Sequence, residues 1–195
     1  MRVLFVTAHP VETSYNAAVH AAALRALREA GHEVDHCDLY AEGFDPVLTR
    51  EARLAYHDPA QNRRGVERHV ERLQAAEALV LGFPVWCFNV PAILKGWFDR
   101  LILPGVAFEL EGGKVRPTLR HIRAVAGIAT YGRPRYMAWW IGDPPRRIVT
   151  RYLRWFVRPG ATITYLAHYH MNVSTDATRA RFIARVEREM RRFGR

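Results

Sequence analysis

Two short runs, Arg2–Ala8 and Ala78–Phe83, are almost wholly apolar, and they constrain this chain more than any other feature. A strand with one wet face alternates polar and apolar residues. An unbroken apolar run bounded by turn signals fits a strand covered on both sides, as in the interior of a parallel sheet. Parallel neighbours need crossovers, and helical periodicity follows each run. After the first, an Ala/Leu-rich helix extends to Ala30, with Gly31 as its stop. After the second, Ile93, Leu94, Trp97, Phe98, Leu101 and Ile102 recur at helical spacing.

The remaining segments complete the alternation. His32–Leu39 reads as a second strand, and residues 41–59 as irregular, with turn signals at Gly43, Asp45-Pro46 and Asp58-Pro59. A helix is expected from about Gln61 to Ala76, a loop or hairpin over Gly105–Gly113, and a fourth strand over Ala124–Ala129. Residues 133–160 read as an insertion rich in Pro, Arg and Trp. Thr162–Ala167 sets Ile163 and Tyr165 among polar neighbours, as an outer strand does. A last helix, capped by Ser174 or Thr175, spaces Phe182, Val186 and Met190 four apart. Five strands joined by crossover helices, with no internal repeat, give an α/β fold. The expectation is a flavodoxin-like three-layer sandwich around a five-stranded parallel sheet of order 2-1-3-4-5, with residues 1–195 forming one domain.

Composition narrows the function classes. The 49 % hydrophobic and 25 % charged residues are those of an ordinary globule, and no apolar stretch approaches the ~20 residues that span a bilayer. The first residues offer neither an h-region of signal-peptide length nor a small-residue cleavage site, which reads as cytoplasmic. Cys37 and Cys87 lie far apart without a CxxC pairing, implying neither a zinc site nor a disulfide framework. The net charge is +10, carried almost entirely by arginine. Such a charge attracts nucleic acid, anionic membrane or an anionic nucleotide. Without a nucleic-acid-binding motif, the first has only charge behind it.

Two segments carry chemistry. The stretch from His9 through Thr13, Ser14 and Asn16 sets hydroxyls and unpaired backbone N–H groups at a helix start, where an anion is favoured. It has neither a Walker lysine nor GxGxxG, so nucleoside-triphosphate and Rossmann dinucleotide loops are disfavoured. A plain helix cap explains the hydroxyls equally well; His9 adds a donor that a cap does not need. The second segment is Phe83-Pro84-Val85-Trp86-Cys87-Phe88, followed by Asn89 and Pro91, which read as the opening of the next helix. An aromatic turn at the carboxyl end of a strand is where open α/β sheets hold flat ligands.

These motifs make the chain similar to the NAD(P)H:quinone oxidoreductase (DT-diaphorase-like) family of flavodoxin-like proteins. The resemblance rests on Ala8-His9-Pro10 through Tyr15-Asn16, on Asp38-Leu39-Tyr40 with Phe44-Asp45-Pro46, and on Phe83 to Arg100. A weaker match is Ala129-Thr130-Tyr131-Gly132, where the family has Thr-Thr-Gly-Gly. The resemblance implies a flavin, FMN or FAD, with its phosphate held by His9, Ser14, Tyr15 and Asn16. Pro84, Val85, Trp86, Cys87 and Phe88 would run along the isoalloxazine ring, and Ala129, Thr130, Tyr131 and Gly132 would close its other side. Tyr136 stands where the family places a tyrosine near flavin and substrate, in a catalytic role. The family's quinone reductases add a histidine a few residues later, and here that stretch reads Met137-Ala138-Trp139-Trp140-Ile141-Gly142-Asp143. The implied activity is ping-pong transfer of two electrons from NAD(P)H to a quinone-like acceptor, by a homodimer without a bound metal. The family also contains regulatory subunits of membrane potassium-efflux systems, the alternative reading.

Other residues have plainer readings. Cys87 reads as a loop thiol, and His168 and His170 as strand-end residues lacking a third metal ligand. Trp139 and Trp140 pack, or wall the pocket. Arg147, Arg151, Arg154 and Arg158 make one basic helical stripe: a solvated face, a contact with anionic lipid, or a seat for the 2′-phosphate of NADPH.

Overall fold

The computed structural model describes residues 1–195. Five parallel strands, β1 (Arg2–Thr7), β2 (Glu33–Asp38), β3 (Ala78–Val85), β6 (Ala124–Tyr131) and β7 (Thr162–His168), form a sheet of order β2-β1-β3-β6-β7. Setting aside the hairpin between β3 and β6, this is the expected 2-1-3-4-5. Helices α1 (Tyr15–Glu29) and α8 (Asp176–Arg191) cover one face. The other is covered by α3 (Glu67–Ala75), α4 (Ala92–Leu101) and the helical segment 135–156.

The apolar runs arise from burial on both faces. Val3 and Phe5 of β1 join a core with Val19, Leu27, Phe182 and Val186. The intervening Leu4 and Val6 join the opposite core with Val70, Leu73, Leu94 and Trp97. Alternate side chains point to opposite faces, so neither parity has a wet side.

Several boundaries differ from expectation. The helix foreseen from Gln61 begins only at Glu67. Gly65 is left-handed at φ +76°, and the buried Asn62 amide donates to the carbonyls of Tyr56 and Pro104 (3.0 Å each), pinning the preceding turns. The irregular 41–59 stretch contains a short helix, α2 (Arg50–Leu54), capped by Thr49. Asn89 does not cap α4. Its Oδ1 accepts from the adjacent Val90 N–H at 2.8 Å, and Pro91, with extended ψ, takes the cap position. Gly105–Gly113, expected as a loop or hairpin, contains β4 (Phe108–Glu111), which pairs antiparallel with β5 (Lys114–Pro117) as a hairpin.

The insertion is helical: α5 (Arg135–Trp140), then α6 (Pro144–Arg147), a π-helical turn over Ile148–Tyr152, and α7 (Leu153–Phe156). The π turn resets the phase of the expected arginine stripe, and Val157 is already extended, so Arg158 lies beyond the helix.

The motif residues Phe44–Pro46 and Gly96 meet in space. A Cβ at Gly96 would lie 2.3 Å from both Cβ and the carbonyl oxygen of Pro46, so only glycine lets this loop rest on α4. Arg100 completes the clamp: its guanidinium donates to the Asp45 carbonyl (2.7 Å) and lies over the Phe44 ring. These motif residues hold the loop after β2, leaving the chemistry to the strand ends.

Candidate functional site

Three loops leave the carboxyl ends of adjacent strands β1, β3 and β6, and the structure brings them together. In the first, Ser14 caps α1, its Oγ accepting from the Ala17 N–H at 3.1 Å. The Val11 N–H donates to His9 Nδ1 (3.0 Å), and Ser14 Oγ lies 3.1 Å from the same nitrogen. The Val11 carbonyl lies 3.1 Å from it as well, so Nδ1 is turned into the loop whichever ring nitrogen carries the proton. The N–H groups of Tyr15 and Asn16 have no partner in the chain, as expected at a helix start. Asn16 is buried: its Nδ2 donates to Thr130 Oγ1 at the end of β6 (3.0 Å), while its Oδ1 is buried without a partner.

The second loop is a two-residue reversal. Trp86 and Asn89 exchange backbone hydrogen bonds (3.1 and 2.8 Å), and both residues between them are left-handed, Cys87 at φ +49° and Phe88 at φ +57°. Two positive φ values define a type I′ turn, normally the place of Asn-Gly. A side chain in this region costs about 1–2 kcal/mol, and strain of this kind concentrates at ligand sites. The turn leaves the N–H groups of Cys87 and Phe88 unpaired. The Trp86 ring reaches back to His9, 5.9 Å between centroids, joining the second loop to the first.

The third wall is the end of β6 and the loop beyond it. An open cleft of about 250 Å³ lies between Val85, Cys87 and Phe88 on one side and Tyr131, Gly132 and Arg133 on the other. Asn172, just past β7, closes one end, its side chain against Gly132. Behind the cleft, Tyr131 donates to Asp143 Oδ1 (2.6 Å) and lies 2.6 Å from the Tyr165 hydroxyl, while Tyr169 donates to Asp143 Oδ2 (3.4 Å). Burial pushes the Tyr131 and Tyr165 hydroxyls far above the ordinary phenol range, so both stay protonated.

The expected residues are placed unevenly. His9, Ser14 and Asn16 line the first loop, and Trp86, Cys87 and Phe88 the turn. Pro84 and Ala129 are buried within their strands, Val85 is half-buried, and Thr130 is the acceptor for Asn16. The Tyr15 hydroxyl turns toward the β7 edge of the sheet, contacting His168 Nδ1 (2.8 Å) and donating to the Arg179 carbonyl (3.3 Å). Burial raises it to about 12. That leaves the backbone N–H of Tyr15 facing the loop. Tyr131 is 1 % exposed and Tyr136 71 % exposed. Sequence reading missed Arg133, Asn172 and Asp143. Only the position of the first two, at the carboxyl ends of neighbouring strands, could have flagged them.

Cys37, Glu42 and His69 come within 4.8 Å of one another. Arg72 already donates to both Glu42 oxygens at 2.8 Å and to Asp35, and burial holds the Cys37 thiol at about 12, in its protonated form. Beside α1, a second cleft of about 470 Å³ is lined by His9, His20, His36 and Asp38. Burial, helped by His36 and His9, pushes the His20 imidazole down to about 3.

Known proteins resemble this chain in sequence and fold. The sequence pattern of a family described by its flavodoxin-like fold matches residues 1–191. The chain belongs to this flavodoxin-like family. Among curated relatives of this flavodoxin-like protein, rat NAD(P)H dehydrogenase [quinone] 1 is 36 % identical over 148 residues, 67 % of this chain and 54 % of the relative. The chain thus spans about half the length of the curated relatives it matches. Among solved structures, an NAD(P)H:quinone oxidoreductase from Methanothermobacter marburgensis superposes with a TM-score of 0.81 at 26 % identity, covering 98 % of both chains. Smu.1420 from Streptococcus mutans gives 0.80 at 26 % identity, covering 98 % of this chain and all of its own. No helix of this flavodoxin-like protein is long and apolar enough to cross a membrane.

Proposed function

We propose that this chain is a flavin-dependent NAD(P)H oxidoreductase acting on quinone-like acceptors. The carrying observation is that three loops meet at adjacent strand ends: Asn16 bonds to Thr130, Trp86 packs against His9, and the left-handed Cys87–Phe88 turn faces Tyr131 and Gly132 across an open cleft. Relatives named as quinone-reducing NAD(P)H dehydrogenases support the activity.

The residues fit a flavin mononucleotide, the part FMN and FAD share. A phosphate needs donors, and the Tyr15 and Asn16 N–H groups, with the Ser14 hydroxyl and the His9 imidazole beside them, supply them at the positive end of the α1 dipole. The buried, unpartnered Asn16 Oδ1 is an acceptor left for a ligand donor. A flat ring needs apolar contact along one wall and donors along its polar edge. Val85 and Phe88 provide the first, and the unpaired N–H groups of Cys87 and Phe88 the second. When bound, the flavin supplies hydride acceptance from reduced nicotinamide and two-electron delivery to the acceptor.

The chain's own groups do the rest. The turn's fixed N–H dipoles stabilise negative charge developing on a ring held against them, at no reorganisation cost. To Tyr136, exposed at the start of α5, we assign the hydrogen bond to an entering acceptor. The proposed order is ping-pong, nicotinamide and acceptor taking turns at the same ring face. A second copy of the chain is part of the proposal, and sedimentation tests it.

The experiment is reconstitution. Purified protein titrated with FMN and with FAD should take up one of them, and NAD(P)H should then bleach it with a quinone restoring the colour. Bleaching that no quinone reverses would remove the acceptor class from this reading.

A further inference from the structure

A group of unpaired positive charges outside the strand-end cleft lies on the insertion. Arg135, Arg146, Arg147 and Arg151 line a concavity of about 680 Å³ together with Trp139 and Trp140. None of the four guanidinium groups takes part in any ion pair of the protein. The one carboxylate there, Asp143, already accepts from Tyr131 and Tyr169. The two indoles are 77 % and 81 % exposed, an unusual cost for the largest apolar side chains. The segment also contains the π-helical turn over Ile148–Tyr152, a rare geometry found often at functional sites.

We propose that this concavity binds the phosphate-bearing adenosine end of the reduced nicotinamide substrate and makes the protein prefer NADPH to NADH. The inference rests on the oxidoreductase reading and names the substrate within it. A phosphate monoester is the anion best matched to several planar guanidinium forks, which bind its oxygens in pairs. Adenine stacks on an exposed indole. The volume is that of a small-molecule site. Position links it to the flavin cleft: Tyr131 lines that cleft, and its hydroxyl is bound to Asp143, which lines this one. The proposal has one dinucleotide span the two, its nicotinamide end in the first cleft and its adenosine end in the second.

Two other occupants fit less well. A twofold contact between copies through this face would set unpaired arginines against unpaired arginines, with no free acid to relieve them. An anionic bilayer suits exposed tryptophan and arginine, but a planar surface does not fill a concavity.

The test separates these. Protein without flavin is titrated calorimetrically with 2′,5′-ADP and with 5′-AMP, following tryptophan fluorescence in parallel. The expected result is affinity for 2′,5′-ADP at least about tenfold greater, the worth of a charge-assisted hydrogen bond. Arg147→Ala and Arg151→Ala should erase the difference, and Arg147→Lys should keep part of it. FMN uptake and far-UV circular dichroism serve as the check of folding. In reconstituted protein, the ratio of kcat/KM for NADPH over NADH should fall by about the same factor in the alanine variants. Equal affinity for the two nucleotides, or a preference indifferent to both arginines, overturns the proposal. So does binding to phosphatidylglycerol vesicles that depends on the arginines while 2′,5′-ADP binding does not. Failure to bind flavin with the 2′,5′-ADP preference intact would instead sink the oxidoreductase reading and leave the nucleotide site standing.

Discussion

Replacing Gly96 by alanine sets two physical effects against each other with opposite signs. Gly96 sits inside α4, and helix propensity alone makes alanine better there by about 1 kcal/mol. For a chain of this size that corresponds to a Tm higher by about 2–4 °C. The structure predicts the reverse. The added Cβ would stand 2.3 Å from Pro46 Cβ and carbonyl oxygen and 2.6 Å from its Cα, where carbons ordinarily keep about 3.5–4.0 Å. The loop cannot easily retreat. The Asp45 carbonyl is held by Arg100 at 2.7 Å, its carboxylate by the Val47 N–H at 2.9 Å, and Phe44 is buried with its N–H donating to the Leu39 carbonyl. Overpacking against fixed backbone costs about 3 kcal/mol, the upper part of the usual range. Subtracting the propensity gain leaves a net loss of about 2 kcal/mol, a Tm lower by about 4–8 °C. Scanning calorimetry of Gly96→Ala beside the parent decides it. A Tm equal to or above the parent's would refute the packing argument.

Three further outcomes are expected of the same structure. The His20 imidazole, held at about 3 when folded, titrates near 6.5 when unfolded, so the unfolded chain binds the extra proton between those values. Stability therefore rises with pH across that window and is lost as pH falls through it, by about 1.4 kcal/mol per unit well below 6.5. Urea unfolding at pH 7.5 and 5.0 should show His20→Gln losing about 2 kcal/mol less than the parent, and an identical pH dependence would contradict the assignment. Ser14→Ala removes the cap of α1 and should cost about 1 kcal/mol, read as a Tm drop of about 2–4 °C, together with weaker FMN binding. Cys87→Val forces a β-branched side chain into the left-handed region and should cost about 1–2 kcal/mol and weaken FMN binding, whereas Cys87→Asn should do neither; equal effects in chemical denaturation would argue against the type I′ turn.

Burial dictated most of what was legible in the sequence. The runs in β1, β3 and β6 are apolar because both sheet faces are covered, and that periodicity is visible without any partner known. The capping of α1 by Ser14 and the stop at Gly31 are local chemistry, equally visible. Long-range contacts were not. Nothing near Gln61 announces that the Asn62 amide is spoken for by Pro104, nor near Tyr15 that its hydroxyl turns to β7. The arginine spacing of 4, 3 and 4 looked like one helical face, and the π turn broke that phase. At the site, the aromatic run Trp86–Phe88 could be read as a ligand wall. Its left-handed geometry could not, since neither Cys nor Phe is a residue that signals a type I′ turn. Asn172 and Asp143 join the clefts only through the parallel pairing of β6 with β7 and the fold-back of the insertion.

The central claim is that the loops after β1, β3 and β6 form one flavin site. Its most direct test is a fluorescence titration of FMN, then FAD, into the flavin-free protein, beside the Asn16→Leu variant. The prediction is saturable, stoichiometric quenching of one flavin, then loss of its visible absorbance on adding NAD(P)H, with affinity much reduced in the variant. Protein that is folded by circular dichroism yet takes up neither flavin would contradict it.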